Sequence, residues 1–260
     1  MQIGSWRKWM VLAGLAFAGA AAASEGADAH AAGVNWHDWR AGNEVENTAS
    51  LQRGASNFVS YCLGCHSLKY MRWSRLARDL EIPDELLQGT LLPAGAKNTD
   101  YIRSTFPAAD AETWFGRAPP DLSLTARSRG TDWTYQFLKG FIADPSKATG
   151  TNNLVLDGAS MPAVLSGLEG VKAAVFATHG ESAGGHAGGP AIERFEYLAQ
   201  GSLTPEQFDG FVRDTVNFLD YVGDPSQVRR RNIGLWVVLF LLTFTSLALW
   251  LKNEYWKDVH

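Results

Sequence analysis

The chain has 260 residues, 46% of them hydrophobic, with 23 basic against 27 acidic side chains and a formal net charge of −4. An acidic balance excludes the basic excess of a nucleic-acid-binding chain. Two cysteines exclude a disulfide framework, and the length suits one domain plus a short further segment.

The chain opens MQIGSWRKWMVLAGLAFAGAAAASEG, with Arg7 and Lys8 as a positive start and Trp9 to Ala23 as an unbroken apolar or small-residue run. Ala21-Ala22-Ala23 before Ser24 reads as a cleavage site, so residues 1–23 are expected to be a secretory signal peptide. The alternative is an uncleaved anchor, for which the run is short and rich in Ala and Gly.

Leu51, Ala55, Phe58, Val59 and Cys62 recur at helical spacing and predict a helix running into YCLGCHS. Cys62 and Cys65 are the two cysteines, and His66 follows them. A disulfide between positions i and i+3 closes too small a loop to stabilise a fold. Zinc usually takes four ligands, and no second cysteine pair exists. A thioredoxin-like redox pair would sit in an alternating strand–helix pattern, which does not surround it. C-x-x-C-H as a c-type haem attachment site accounts for all three residues. On a helix, i, i+3 and i+4 share a face, so two thiols reach the vinyl groups of one porphyrin edge while the imidazole turns under the ring to the iron.

Further on, RAPPDLSLTARSRG holds Pro119 and Pro120, a stiff apolar wall for a haem pocket. Arg127, Arg129 and Trp133 follow; an arginine fork suits a haem propionate, and a solvated surface charge is the equal alternative for either arginine. For the second axial ligand, Met1 and Met10 fall in the signal segment, and Met71 lies five residues past His66, where core packing is expected. That leaves Met161, in LDGASMPAVLSG, where Gly158 loosens the approach and Pro162 favours an extended backbone. A gap-filling core methionine is the alternative. His179 and His186 are rivals in a Gly-rich stretch read as a mobile surface loop, while His30, His37 and His260 lie towards the termini.

Thr204 to Gln207 forms a T-x-x-Q capping box with Pro205 at the first helical position. Phe208, Phe211, Val212, Phe218, Leu219 and Val222 make the apolar stripe of the helix that follows, and Gly223-Asp224-Pro225 ends it. Residues 233–251 carry no charge and would span about 28 Å as a helix, enough for a bilayer. Trp236, Trp250, Tyr255 and Trp256 suit its interfaces. Arg229-Arg230-Arg231 before the span, counted against Lys252 and Lys257, would place the large domain in the cytoplasm; the signal places it outside, and the first topogenic element is the one followed here. The expected organisation is thus signal peptide 1–23, exported haem domain 24–228, and anchor 229–260 with a short cytoplasmic tail. Loss of Arg7 and Lys8 would take the formal charge from −4 to −6, a surface that steers a basic redox partner.

LQRGASNFVSYCLGCHSLKYMRWSRL, APPDLSLTARSRG, the Met161-Pro162 pair and the single C-terminal span together resemble the cytochrome c1 family, the haem subunits of respiratory bc1 complexes. The resemblance runs from about residue 34 to the C-terminus. It implies an all-α, cytochrome c-type haem domain with long loops plus one transmembrane helix. It implies one haem c on Cys62 and Cys65, iron ligation by His66 and Met161, Pro120 in the pocket, and Arg129 paired with a propionate. It further implies an electron taken from a Rieske iron–sulfur protein and passed to a c-type cytochrome, with cytochrome b and the Rieske protein carrying out quinol oxidation. The setting would be the bacterial inner membrane, with the haem domain in the periplasm and the whole complex dimeric. Two features depart from the family: no cysteines remain for the disulfide of some members, and the Gly/His-rich stretch 179–190 reads as an insertion. Competing readings are another anchored c-type electron shuttle or terminal-oxidase subunit, a haem peroxidase, and a non-haem binding module.

Overall fold

The computed structural model describes residues 33–177 and 191–258. The expected signal peptide, His30, His179, His186, His260 and all of the Gly/His-rich stretch 179–190 lie outside the described residues.

Helix α1 spans Thr48–Tyr61 and starts where the Asn47 side chain accepts from Ser50 N. Leu51, Gly54, Ala55 and Phe58 face inward at the predicted three- and four-residue spacing. Strand β1 (Leu68–Arg72) pairs antiparallel with β2 (Tyr101–Ile102). Between them lie α2 (Trp73–Asp79) and α3 (Asp84–Leu86), the latter running into a π turn at Leu87–Leu91. Helix α4 (Ala108–Phe115) ends at Gly116, whose φ of 77° needs a residue without a Cβ. Then come α5 (Thr125–Arg129), α6 (Thr131–Lys139), and the short antiparallel pair β3 (Phe141–Ala143) and β4 (Thr151–Asn153). Helix α7 (Ser166–Glu169) leads into β5 (Gly170–Phe176), which pairs antiparallel with β6 (Ile192–Gln200).

Helix α8 (Pro205–Gly223) opens with the predicted capping box, Thr204 and Gln207 each satisfying the other's backbone. Its length joins two apolar clusters. Phe218, Leu219 and Val222 pack with Leu51, Phe58, Leu68, Trp73 and Leu76, whereas Phe208, Val212 and Val216 pack with Ala41, Tyr135 and Leu165. Along α1 the contact with α8 is also polar. Ser50 Oγ donates to Asp214 Oδ1 at 2.6 Å, the Arg53 guanidinium forks onto the same carboxylate at 2.6 and 3.0 Å, and Asn57 Nδ2 donates to Phe211 O and Thr215 Oγ1, both at 3.1 Å. These partners satisfy the polar groups that the helix pair covers, which fixes its register as well as its stability.

The fold is mainly helical, as expected. The sequence reading marked none of the three strand pairs, of which β5–β6 is the longest. Of the residues in β6 only Ile192 is buried, so the strand shows no alternation of inside and outside to read.

Helix α9 covers Gln227–Tyr255, beginning six residues before the predicted span. Among the described residues it is the one helix long and apolar enough to cross a membrane, and the other described residues cover none of its apolar stretch. Its first turn is tied back to the domain: Asp224 accepts from Arg230 Nη2 at 2.5 Å and faces Arg127 at 3.4 Å.

Candidate haem site

Helix α1 ends at Tyr61, and Cys62 caps it. The turn that follows remains helical in its hydrogen bonding. Cys62 O accepts from Cys65 N at 3.0 Å and from His66 N at 2.8 Å. Cys62, Cys65 and His66 therefore hang from one turn, just past the helix rather than inside it. Cys65 is exposed and Cys62 half-buried. Burial, then the neighbouring Cys65, push the Cys62 thiol up to about 12. It stays protonated at neutral pH, unlike the activated thiolate of a disulfide-exchange nucleophile.

His66 is 9% exposed. Its Nδ1 meets the Pro120 carbonyl oxygen at 2.8 Å, and since a carbonyl only accepts, Nδ1 is the donor. That fixes the tautomer and leaves Nε2 with its lone pair as the metal-binding nitrogen. Burial pulls the ring's pKa below its ordinary value, outweighing the Pro120 carbonyl and the Asp121 carboxylate, which act to raise it. The ring is thus neutral at physiological pH, as a ligand must be.

Pro120 is held by a strap. Leu122 N donates to Ser67 O at 2.9 Å, Lys69 N to Asp121 Oδ2 at 2.8 Å, and Ser123 N to Asp121 Oδ1 at 3.0 Å, while Tyr70 N reaches the fully buried Ser123 Oγ at 3.3 Å. The P-P-D-L-S segment is thus stitched to Ser67, Lys69 and Tyr70, just past His66. Asp121 and Ser123 were not singled out in the sequence; their signal was an Asp two residues before a Ser, a common Asx-turn pattern.

Met161 stands half-buried on a different loop, between β4 and α7. Gly158 is left-handed there (φ 70°), in keeping with the turn expected before the methionine. Two asparagines brace this loop. The buried Asn153 donates to Phe137 O at 2.8 Å and accepts from Val155 N at 2.9 Å, and Asn152 Oδ1 accepts from Gly158 N at 3.0 Å. Met71 is 2% exposed within the core, the role expected of it. His37 is exposed and stacks on Trp36 with ring centroids 3.6 Å apart.

The two arginines separate. Arg127 is paired with Asp224 at the base of α9. Arg129 ends α5, exposed, with its guanidinium 5.1 Å from the Trp133 ring centroid and no ion pair among the described residues. The donor set fits a haem c: two thiols and a neutral imidazole on one turn, with the imidazole's second nitrogen already engaged. Exposed apolar side chains at the strap's end (Leu124) and three residues past Met161 (Val164) suit the walls of a site that receives an apolar ring.

A sequence profile described as the Cytochrome C1 family matches residues 42–259. The cytochrome c1 of Allochromatium vinosum is 44% identical over 230 residues, 88% of this chain and 93% of that one. A protein of Nitrosomonas europaea named ammonia monooxygenase gamma subunit is 38% identical over 211 residues, 81% of this chain and 84% of its own. The cytochrome b/c1 of Bradyrhizobium diazoefficiens is 28% identical across 96% of this chain, which spans 39% of that longer protein.

Proposed function

The chain belongs to the cytochrome c1 family, and from that premise we propose that it carries single electrons within a respiratory bc1 complex, from a Rieske iron–sulfur protein to a c-type cytochrome. Family membership implies haem c and electron transport. Cys62 and Cys65 would hold the haem by thioethers, His66 Nε2 and Met161 Sδ would ligate its iron, and Arg129 would pair with a propionate. Bound haem c supplies a one-electron iron couple.

The observation that carries this reading is the bond from His66 Nδ1 to Pro120 O beside the cysteine turn. It holds the imidazole plane, fixes the tautomer and raises the electron density at Nε2. The strap of Asp121 and Ser123 prevents that carbonyl from moving, so a change of iron charge would meet a ligand that is already placed. A second ligand from Met161 would leave no open face, which favours electron transfer over peroxide chemistry.

The name cytochrome b/c1 on one relative supports assembly with cytochrome b. We place the haem domain (residues 24–228) in the bacterial periplasm after loss of residues 1–23, with α9 as a single anchor in the inner membrane, a short cytoplasmic tail, and the whole complex dimeric. The oxygenase name on another relative implies oxygen chemistry, and nothing at the cysteine turn favours it. Haem staining of a denaturing gel tests covalent attachment, and should be lost in Cys62→Ser/Cys65→Ser. Co-purification tests the assembly: a cytochrome b and a Rieske protein should accompany the tagged chain. A stained chain that purifies alone would instead be an anchored shuttle.

A further inference from the structure

Two adjacent asparagines hold the loop that carries Met161. Asn153 is 3% exposed, and its side chain bonds to main chain alone. Its Nδ2 donates to Phe137 O at 2.8 Å, and its Oδ1 accepts from Val155 N at 2.9 Å and from Leu156 N at 3.2 Å. One partner is a carbonyl and two are N–H groups, so the amide cannot be turned over. Leu154 N adds a bond to Gly140 O at 2.9 Å. The end of α6 fits closely there: a Cβ at Gly140 would stand 2.7 Å from Gln136 O and 3.3 Å from Asn153 Oδ1. Asn152 closes the loop further on. Its Oδ1 accepts from Gly158 N at 3.0 Å, and its Nδ2 donates to Asp157 Oδ1 at 2.8 Å and to Asp144 Oδ2 at 3.2 Å. Met161 follows three residues after Gly158.

These bonds join the loop to the frame that also holds the cysteine turn. Phe137 belongs to α6, which is tied to α8 where Tyr135 and Lys139 both donate to Asp209. Helix α8 in turn holds α1, through Ser50 and Arg53 on Asp214, and α1 leads into Cys62. The placement of Met161 relative to His66 is thus set through α1, α8, α6 and, at the last step, the side chain of Asn153. A thioether is an uncharged, soft ligand, and a nitrogen base can compete with it for ferric iron. A loop that is already fixed loses little freedom when its sulfur binds, whereas a loosened loop must be ordered first, which favours the competitor.

We infer that Asn153, seconded by Asn152, is the positioning residue for the Met161 sulfur and sets how readily an outside ligand displaces it. The inference rests on the reading of Met161 as the second iron ligand. The test titrates the full, haem-loaded ferric chain in detergent with imidazole, followed through the weak red absorbance of methionine ligation. Asn153→Ala should bind imidazole roughly tenfold more tightly than the parent, since three buried backbone groups lose their partner. Asn152→Ala, at a half-buried site, should fold and shift the affinity the same way by roughly threefold; it decides the matter if Asn153→Ala yields no haem-loaded chain. Asn217→Ala is the control for a purely structural loss. Asn217 is also 3% exposed and makes three bonds, to Glu44 N, Glu44 O and Ser50 Oγ, away from the Met161 loop. It should lower the unfolding midpoint and leave the imidazole affinity at the parent's value. Parent-like affinity in the Asn153 and Asn152 variants, or an equal rise in Asn217→Ala, overturns the inference. Met161→Leu separates the two readings: if it keeps the red band and the parent's affinity, the ligand assignment and this inference fall together. If it loses the band while the Asn153 and Asn152 variants stay parent-like, the positioning role alone falls.

Discussion

Gly54 of α1 lies against the backbone of Asp214 in α8: a Cβ at Gly54 would stand 2.1 Å from the Asp214 carbonyl oxygen and 2.6 Å from Phe218 Cβ. Neither atom is the end of a flexible side chain, so the helices must move apart to admit even a methyl group. Helix α1 ends in the cysteine turn, so the same contact sets where that turn sits. Gly54→Ala should lower stability by about 2–3 kcal/mol despite the better helix propensity of Ala. Urea unfolding followed through haem absorbance measures it, with the exposed Ser60→Ala as a control within about 0.5 kcal/mol of the parent. A Gly54→Ala midpoint equal to the parent's would show that the helix contact is looser than this geometry.

Asp209 ties α8 to α6 and sets an acid limb of stability. Burial alone would raise its carboxyl, but Lys139, Tyr135 and Arg213 outweigh burial and hold it at about 2. Against an unfolded value of about 3.9, that difference is worth about 2.6 kcal/mol at full strength and about 2 kcal/mol once solvent screening of the part-exposed carboxylate is allowed for. Because the folded value is the lower one, the contribution is complete above about pH 4 and fades as pH falls towards 2. Asp209→Asn should therefore unfold more easily at neutral pH by about that amount, with the gap to the parent closing between pH 4 and 2. Denaturant midpoints taken across that range check it; a gap independent of pH would assign the loss to packing.

The parts legible in the sequence were those written in local pattern. The capping box at Thr204, the apolar stripe of α8, the helix before Cys62 and the uncharged run in α9 each depend on residues within a turn or two of one another. The cysteine turn was legible for the same reason, although its register just beyond α1 was not, since helical spacing continues through a capping residue. What stayed hidden depends on distant partners. Nothing near Asp121 says that it accepts from Lys69, nor near Asn217 that it holds Glu44. Strand β6 stayed hidden because its side chains are mostly exposed. Arg127 and Arg129 looked alike in the sequence, and only the fold brings Asp224 to the first of them.

Met161→Leu should give a folded, haem-bearing chain with a sharply lower reduction potential, because thioether sulfur favours ferrous iron. The brace of Asn152 and Asn153 holds the loop without help from the methionine side chain, so folding should survive. The weak ferric absorbance at the red end that marks methionine ligation should vanish. Met71→Leu is the paired control: it is a buried, volume-conserving core change that should keep that band at a cost below about 1.5 kcal/mol. A band that survives in Met161→Leu would remove Met161 from the ligand set.

Ending the chain after Arg231 should release a soluble haem domain. The stop matters, because a cut at Gln227 would also remove Arg230, whose guanidinium lies 2.5 Å from Asp224. Keeping it preserves the network in which Asp224 joins Arg127 to the α8–α9 elbow. What is lost is the uncharged run from Ile233 onward, none of which the other described residues cover, so the domain's packing should be unaffected. Haem attachment should persist, since the cysteine turn and its strap lie far upstream, and haem should move from the membrane to the periplasmic fraction. The released domain should exchange electrons with a basic cytochrome c at a rate that falls as salt rises, because screening weakens steering by an acidic surface. Quinol oxidation by the membranes should collapse, because α9 no longer holds this haem beside its electron donor. A truncated chain still bound to membranes would assign the anchoring to residues 1–23 and make that segment an uncleaved helix.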